Sequence, residues 1–170
     1  MKLPVQDYLF DNKIDIKSVK DLEIVKWTNK TELNNFLNRY HYLGQVQGWR
    51  YAFAIKYKDE IVGCAVFGRP IARLEDQRNT LELTRFVLID ECPQNSESYV
   101  LGRLIKLLRK EGWKRFIAYS DIEVGHKGTI YKATNWKQVG ITGGRDWTHR
   151  PGRKCDVGIH KKIKWELCYE

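Results

Sequence analysis

One segment of the sequence, residues 81–120, limits the possible folds more than any other. The apolar run 81–89 predicts a strand, and the run 115–120 predicts another. Between them, apolar residues recur at the spacing of one helix face: Leu101, Leu104, Ile105 and Leu108. Gly112 ends this helix. Two strands joined through a helix usually lie parallel, so the segment predicts an α/β fold with a mixed sheet.

The remaining elements are predicted from the same periodicities. Residues 49–57 and 61–68 are two apolar runs around a short polar turn, which is typical of an antiparallel hairpin. The other predicted elements are helices over 31–40 and 129–135 and strand-like segments at 157–159 and 163–167. The first 25 residues are a polar lead-in to which no structure is assigned. We expect the 170 residues to form a single domain.

Composition excludes several classes of protein. Six Trp, nine Tyr and six Phe supply a core, which argues against disorder. No apolar run is long enough to span a membrane, and the N-terminus lacks an apolar signal core. The four cysteines form no C-x-x-C pair and the four histidines share no ligand spacing, so we expect neither disulfides nor a metal. We therefore expect a reduced, cytoplasmic protein.

The formal charge of +9 favours an acidic partner. Lys and Arg are frequent in the last third of the chain, where tryptophans such as Trp136, Trp147 and Trp165 are interleaved with them. Cations beside aromatic rings can hold a phosphate backbone and stack on a base, which indicates nucleic acid. The alternative is a solvated basic surface without a ligand.

The first candidate site lies where the strand 81–89 leads into the following helix. A helix N-terminus presents unpaired N–H groups and suits a phosphate. The residues proposed to hold such a cofactor group are Asn95, Ser96, Ser98 and Tyr99. Ordinary helix capping by a serine is the alternative.

The second candidate site follows the strand 115–120. Ligands collect at the carboxyl ends of strands in α/β sheets, and polar side chains cluster here between Ser120 and Tyr131. Asp121 or His126 could take a proton from an amine, and Tyr131 could protonate a leaving group. A solvated polar loop is the alternative.

Two further clusters carry chemistry-bearing residues. Tyr40, His41 and Tyr42 end the helix 31–40 and could line a pocket or stack on a base, although Tyr40 also fits the core. Glu82 and Arg85 lie three apart in a strand, which predicts that they face opposite sides of the sheet.

Three segments carry a family resemblance: 40–44, 81–86 and 119–136. The last contains Gly-His-x-Gly-Thr-Ile-Tyr-x-Ala, beginning at Gly125. With the order of elements, they resemble the GNAT superfamily of acyl-CoA-dependent N-acyltransferases. More narrowly, the sequence is similar to the Mom family of phage DNA-modification proteins, a GNAT-like branch.

The resemblance implies a mostly antiparallel sheet with one parallel strand–helix–strand step and flanking helices. It also implies a transferase that converts adenine N6 in double-stranded DNA to a carbamoylmethyl derivative, protecting the DNA from restriction, in the host cytoplasm if a phage encodes it. Catalysis would then fall to Asp121, His126, Tyr131 and Ser120. The residues expected to contact the base or the DNA are Tyr40, His41, Tyr42, Arg50, Arg85, Lys127, Arg150 and Arg153.

The donor site departs from the GNAT pattern. Typical members carry Q/R-x-x-G-x-G/A for the CoA pyrophosphate, whereas residues 94–99 contain no glycine, and Glu97 would repel phosphate. The identity of the donor is therefore left open between acetyl-CoA and another acyl or aminoacyl compound. Two alternatives stay open: a conventional acetyl-CoA-dependent N-acetyltransferase of a small amine or protein lysine, and a DNA-binding module without activity.

Overall fold

A computed structural model describes residues 14–143 and 160–170. Three helices and seven strands are defined there, after a short 3-10 turn at Val19–Asp21. The helices are α1 (Lys30–Tyr40), α2 (Ser96–Lys110) and α3 (Thr129–Ala133). The strands are β1 (Leu22–Lys26), β2 (Tyr51–Tyr57), β3 (Glu60–Gly68), β4 (Thr80–Leu88), β5 (Arg115–Asp121), β6 (Lys137–Thr142) and β7 (Lys162–Cys168).

All seven strands form one sheet in the order β1-β2-β3-β4-β5-β7-β6. Neighbouring strands are antiparallel except β4 and β5, which run parallel across the α2 connection. The predicted α/β fold with one parallel step is confirmed. The parallel pair is short: it begins at Thr80 opposite Arg115 and ends at Leu83 opposite Ala118. Beyond this point, β4 and β5 no longer pair, which leaves a gap between their carboxyl ends.

The two faces of the sheet differ in what covers them. On one face, α2 and α3 pack over a large apolar cluster that includes Phe116, Trp136 and Trp165. On the other face, α1 covers only the β2–β3 side through Leu33 and Leu37. The second face is therefore uncovered by a helix over β4, β5 and β7 within the described part of the chain, and polar side chains can project from it.

A β-bulge at Thr84 corrects one sequence prediction. Val66 and Gly68 lie two apart on β3 and so point to the same face, and their partners on β4 are Arg85 and Glu82. The extra residue Thr84 stands between these pairs, where the register shifts. Glu82 and Arg85 therefore share one face, and the prediction that they lie on opposite faces is wrong.

Most of the predicted elements are present, with two additions. The sequence patterns did not predict β1, which lies in the polar lead-in, or the exposed strand β6. The short helix α3 ends at Ala133 rather than 135, because Asn135 adopts a left-handed φ of 66°. The strand-like segment predicted at 157–159 lies outside the described residues. No helix in the described ranges has the length and apolar character that crossing a membrane requires.

A substitution at Gly128 would measure how tightly the β5–α3 loop packs on the core. Its φ is 74°, and an added Cβ would lie 2.2 Å from the Trp165 ring. We expect Gly128→Ala to lower the free energy of unfolding by about 2–4 kcal/mol, through backbone strain and overpacking together. Urea denaturation measures this change.

Gly125 in the same loop provides the matched control. Its φ is 88°, but an added Cβ would meet nothing within 4 Å. Gly125→Ala therefore reports backbone strain alone and should cost about 1–2 kcal/mol. Equal losses in the two variants would contradict the close packing of Gly128 against Trp165.

Candidate active site

Side chains from three neighbouring strands form a polar face on the uncovered side of the sheet. Tyr119 lies directly opposite Lys164, and Asp121 lies opposite Lys162, so each pair projects to one side. Successive side chains alternate, so Tyr119 and Asp121 share that side. The polar face is defined by Glu82, Arg85, Tyr119, Asp121, Lys162 and Lys164.

Asp121 is the most buried charged group of this face. Its side chain is fully buried, and its Oδ2 lies 2.8 Å from Nδ1 of His160. Oδ1 accepts a hydrogen bond from the Glu123 N–H at 3.0 Å. Burial acts to raise the pKa of Asp121, but the bonds from His160 and Glu123 outweigh it and hold this pKa below its usual range. Asp121 is thus a fixed negative charge.

The His160 ring lies between two carboxylates. Its Nε2 is 3.1 Å from Oε2 of Glu123, while Nδ1 contacts Asp121. The ring can donate to both carboxylates only when both nitrogens carry a proton. Asp121, His160 and Glu123 therefore form a connected unit in which each group limits the orientation of the next.

Three rings form an aromatic ladder beside this unit. The His41 and Tyr42 rings stack with centroids 5.0 Å apart and an interplanar angle of 19°. Tyr42 in turn lies 5.5 Å from His126. Burial and the charges of Arg85 and His126 lower the pKa of His41 to about 4, so this ring is neutral at physiological pH. Tyr42 and His126 are exposed and can stack on a planar ligand.

Arg85 fixes the loop that carries the ladder. Its Nε donates to the Gly44 carbonyl at 2.9 Å, and its two terminal nitrogens donate to the carbonyls of Gln45 and Thr84. Arg85 was predicted to contact DNA. In the structure its donors are engaged with backbone oxygens, which indicates that it positions the α1–β2 loop.

Glu82 is buried at the other end of the polar face. Its Oε2 accepts a hydrogen bond from the Ile71 N–H at 2.8 Å. Burial raises the pKa of Glu82 to about 7, although the Ile71 bond and the charge of Lys162 act to lower it. This carboxyl group therefore titrates near neutral pH.

Ser120 and Tyr131 lie on the opposite side of the sheet from Asp121. The Ser120 hydroxyl accepts a hydrogen bond from Trp165 Nε1 at 2.9 Å, and Tyr131 stacks on Trp165 at 5.7 Å. Burial, followed by the influence of Tyr42, raises the pKa of Tyr131 well above its usual value.

A cleft of about 310 Å³ lies between the start of α2 and α3. Asn95, Ser96 and Ser98, three of the residues predicted to hold a donor, line it. Tyr99 is not among the lining residues and packs against Arg103 at 5.7 Å. The cleft is thus the place in the described structure where a donor could meet the predicted residues.

The chemistry of the cleft fits a pyrophosphate poorly. The Ser96 and Ser98 hydroxyls donate to the carbonyls of Pro93 and Asn95, so neither is a free donor. The lining contains Asp90 and Glu97 but neither Lys nor Arg among the described residues. The N-terminus of α2 offers positive potential at the cleft, and two carboxylates oppose it. We therefore assign no step to a CoA group.

The other predicted DNA contacts are dispersed. Lys127 is exposed beside His126, whereas Tyr40 is half-buried against Phe36 at 4.6 Å. Arg50 donates to the carbonyls of Gln77 and Arg78 and lies 5.1 Å from the Trp113 ring. Arg150 and Arg153 lie outside the described residues.

His160 and Lys162 lie in this polar cluster but were not predicted in it, and Glu123 lay in the predicted segment without an assigned role. His160 is 39 residues from Asp121 in sequence, and only the pairing of β5 with β7 brings it near. An imidazole just before a strand was a weak signal for it. No group of three or more metal-ligating side chains arranged to hold an ion occurs in residues 14–143 and 160–170.

The fold is that of the GNAT acetyltransferases. A GNAT family acetyltransferase from Elizabethkingia anophelis with acetyl-CoA bound superposes with a TM-score of 0.62 at 15% identity, over 88% of this chain and 99% of that one. The ribosomal-protein-S18-alanine N-acetyltransferase of Escherichia coli gives a TM-score of 0.64 at 14% identity, over 86% of this chain and 93% of that one.

Within this fold the family is narrower. The model of the Mom protein family matches residues 23–155, which is most of the chain, so the protein belongs to the Mom family. The methylcarbamoylase mom of Escherichia phage Mu is 31% identical over 77 residues, covering 43% of this chain. That alignment spans 31% of the phage Mu protein's length. The predicted family is confirmed.

Glu82 gives the protein a pH-dependent stability. Its folded pKa of about 7 lies above the ordinary value of a glutamate, so its contribution to stability is complete at acid pH and is lost as the pH rises towards 7. Between pH 5 and 8 we expect Glu82 to lower the wild type's free energy of unfolding by about 2–3 kcal/mol. Glu82→Gln keeps an acceptor for the Ile71 N–H but cannot ionise, so this decrease should be absent in the variant. Urea unfolding across this range measures it. An unchanged pH profile in Glu82→Gln would contradict the assignment to this group.

Proposed function

We propose that this protein is a transferase that modifies the exocyclic N6 amine of adenine in double-stranded DNA with a carbamoylmethyl-type group. The observation that carries the proposal is the aromatic ladder beside the unit formed by buried Asp121 with His160 and Glu123, in a chain of the Mom family. The phage Mu relative is a methylcarbamoylase, which supports the choice of group. Masking adenines in this way would protect the DNA from restriction enzymes.

The aromatic ladder suits an extruded base. Adenine in a duplex is stacked and paired, so its amine reaches an enzyme site more readily after the nucleotide leaves the stack. In our proposal the base stacks on Tyr42, with His41 behind it and His126 at its edge. The neutral His41 ring adds no charge repulsion, and the Arg85 contacts hold the loop in place.

Proton transfer follows from the charges around the base. Bond formation leaves positive charge on the amine, and the fixed negative charge of Asp121 stabilises it. His126 is exposed next to Tyr42 and accepts the amine proton as general base. Tyr131, whose burial keeps its hydroxyl protonated, donates to the leaving group from the α2 side of the sheet. Ser120 positions Trp165, on which Tyr131 stacks.

The donor is the part of the proposal with the least support from the site. Acetyl-CoA is bound in a solved GNAT neighbour, which favours an acyl-CoA donor, whereas the acidic lining of the cleft opposes a pyrophosphate. A conventional N-acetyltransferase of a small amine or protein lysine is the second candidate function, favoured by the shared fold. The mass of the added group separates it from DNA modification.

The decisive experiment is mass spectrometry of nucleosides from plasmid DNA of cells that express the protein. We expect an adenosine heavier by one carbamoylmethyl group. Asp121→Asn and Tyr131→Phe should each lower its amount by at least about 100-fold, because each removes a charge or proton that the transition state needs. Tyr57→Phe removes a hydroxyl on β2, away from the site, and should leave the product unchanged.

Two further measurements keep this test interpretable. Circular dichroism and DNA binding of both variants should match the wild type, because the substitutions preserve side-chain volume. Full activity in both variants would contradict the assigned roles. An unmodified digest from cells with abundant folded wild-type protein would contradict DNA modification under those conditions and favour the acetyltransferase.

The cleft yields a prediction about CoA. We expect calorimetry to show weak binding of acetyl-CoA, and Glu97→Gln to tighten it by about two- to fivefold by removing a like charge. Glu91→Gln changes a nearby exposed carboxylate outside the lining and should have no comparable effect. Tight binding by the wild type, unaltered by Glu97→Gln, would show that the cleft accepts a pyrophosphate after all.

A further inference from the structure

The β3–β4 loop, residues 69–79, is held against the polar face by hydrogen bonds and ion pairs to side chains of the sheet. The Ile71 N–H donates to Glu82, and Glu75 forms ion pairs with Arg115 at 2.8 Å and with Lys164. These partners lie on β4, β5 and β7, the strands that carry the polar face. The loop therefore borders the same side of the sheet as Asp121.

The second half of the loop is also fixed. The Arg50 guanidinium donates to the carbonyl oxygens of Gln77 at 2.9 Å and of Arg78 at 3.3 Å. Asp76 accepts hydrogen bonds from the Arg78 N–H and from the Asn79 backbone and side chain. A loop held at both halves presents its outward side chains in a defined arrangement.

The outward side of the loop combines apolar and basic groups. Leu74 is 102% exposed and Ile71 is 73% exposed, although aliphatic side chains of this size are usually buried. Arg69, Arg73 and Arg78 are exposed around them. None of these three arginines forms an ion pair with another residue in the described ranges. The loop thus carries an aliphatic tip within a rim of free positive charge.

We propose that the β3–β4 loop is a wedge that enters duplex DNA next to the target adenine. Leu74, with Ile71, occupies the space in the base stack that the extruded nucleotide leaves, and Arg69, Arg73 and Arg78 contact the flanking phosphates. Proteins that distort DNA commonly insert aliphatic side chains between base steps beside arginine contacts to the backbone. This inference rests on the proposed function, because it supplies the step that delivers adenine to the polar face.

Charge favours DNA over a protein partner for this tip. A protein-binding patch needs a larger apolar area than two side chains, whereas a wedge needs only one or two. The Glu75 carboxylate is paired with Arg115 and Lys164, so it does not neutralise the arginines of the loop. The charged groups that face outward beside the tip are therefore mainly arginines. A polyanionic duplex matches this surface.

The test measures base extrusion without requiring any donor. Duplexes carry 2-aminopurine, which fluoresces when unstacked, at a central position in every combination of flanking bases. We expect the wild type to raise the fluorescence several-fold in at least one context. Leu74→Ala should lose most of this rise at saturating protein while its affinity by anisotropy stays within about threefold, because phosphate contacts supply most of the binding.

Control variants separate the wedge from general effects. Leu107→Ala removes an exposed leucine of α2 and should behave as the wild type. Arg73→Gln should weaken DNA binding and reduce the slope of log Kd against log salt concentration by about one. Since Leu74 is fully exposed, Leu74→Ala should also retain the wild-type denaturation curve, which excludes a folding defect.

Cellular DNA provides an independent readout. Leu74→Ala should lower the modified adenosine by about tenfold or more, because the variant no longer offsets the cost of unstacking the target base. A wild type that raises 2-aminopurine fluorescence but modifies no DNA would support the wedge and contradict the chemistry. Wild-type fluorescence and modification in Leu74→Ala would overturn the wedge alone. A loss of self-association in Leu74→Ala, with unaltered extrusion, would assign the tip to a second copy of the chain and also overturn it.

Discussion

The bulge at Thr84 determines how the rest of the site is assembled. In a regular strand, the alternation that points Glu82 away from α2 would point Arg85 towards it, and a guanidinium would then face the apolar cluster. One extra residue reverses the alternation and returns Arg85 to the polar face. There it reaches the carbonyls of Gly44 and Gln45, some 40 residues earlier in the chain. The position of the aromatic ladder therefore depends on a local irregularity of β4.

Strands β4 and β5 separate at their carboxyl ends, and the gap between them connects the two faces of the sheet. Pairing ends at Leu83 and Ala118, so the gap opens between the cleft at α2 and the polar face. Tyr131 lies on the α2 side, yet Tyr42 and Glu82 on the other side influence its pKa. A transferase must bring two substrates together from separate sites. In the function proposed above, a donor in the cleft would approach a base on the aromatic ladder through this gap.

Sequence periodicity predicted the elements that bury one regular stripe. The helices α1 and α2 and the parallel step were recovered because their apolar residues follow a clear period. The strand β6 escaped prediction because it is almost wholly exposed at the sheet edge. The bulge escaped because residues 80–88 contain no glycine or proline to mark it.

The residues of the candidate site also divide into those that the sequence indicated and those that only the tertiary structure brings together. Asp121 was predicted as a site residue from its place at a strand end, and the structure puts it at the centre of a polar cluster. Its partner His160 depends on the pairing of β5 with β7, which a single sequence does not reveal. Arg50 and Arg85 were expected among the DNA contacts, and in the structure both hold loops through backbone carbonyls. Charge predicts the residue type, but tertiary contacts decide its task.

The two faces of strands β5 and β7 carry different kinds of side chain, and this difference separates the residues that stabilise the fold from those of the candidate site. The side of β5 and β7 that faces α2 and α3 carries Phe116, Ala118, Trp165 and Leu167, all buried. The other side of the same strands carries Arg115, Lys164 and Glu166 in ion pairs with one another or with Glu75. Half-buried ion pairs add less stability than apolar packing would, because desolvation offsets much of their attraction. The sheet keeps these ion pairs on one face, and its other face is mainly apolar. The apolar face therefore supports the fold, and the polar face holds the loops and charges of the candidate site.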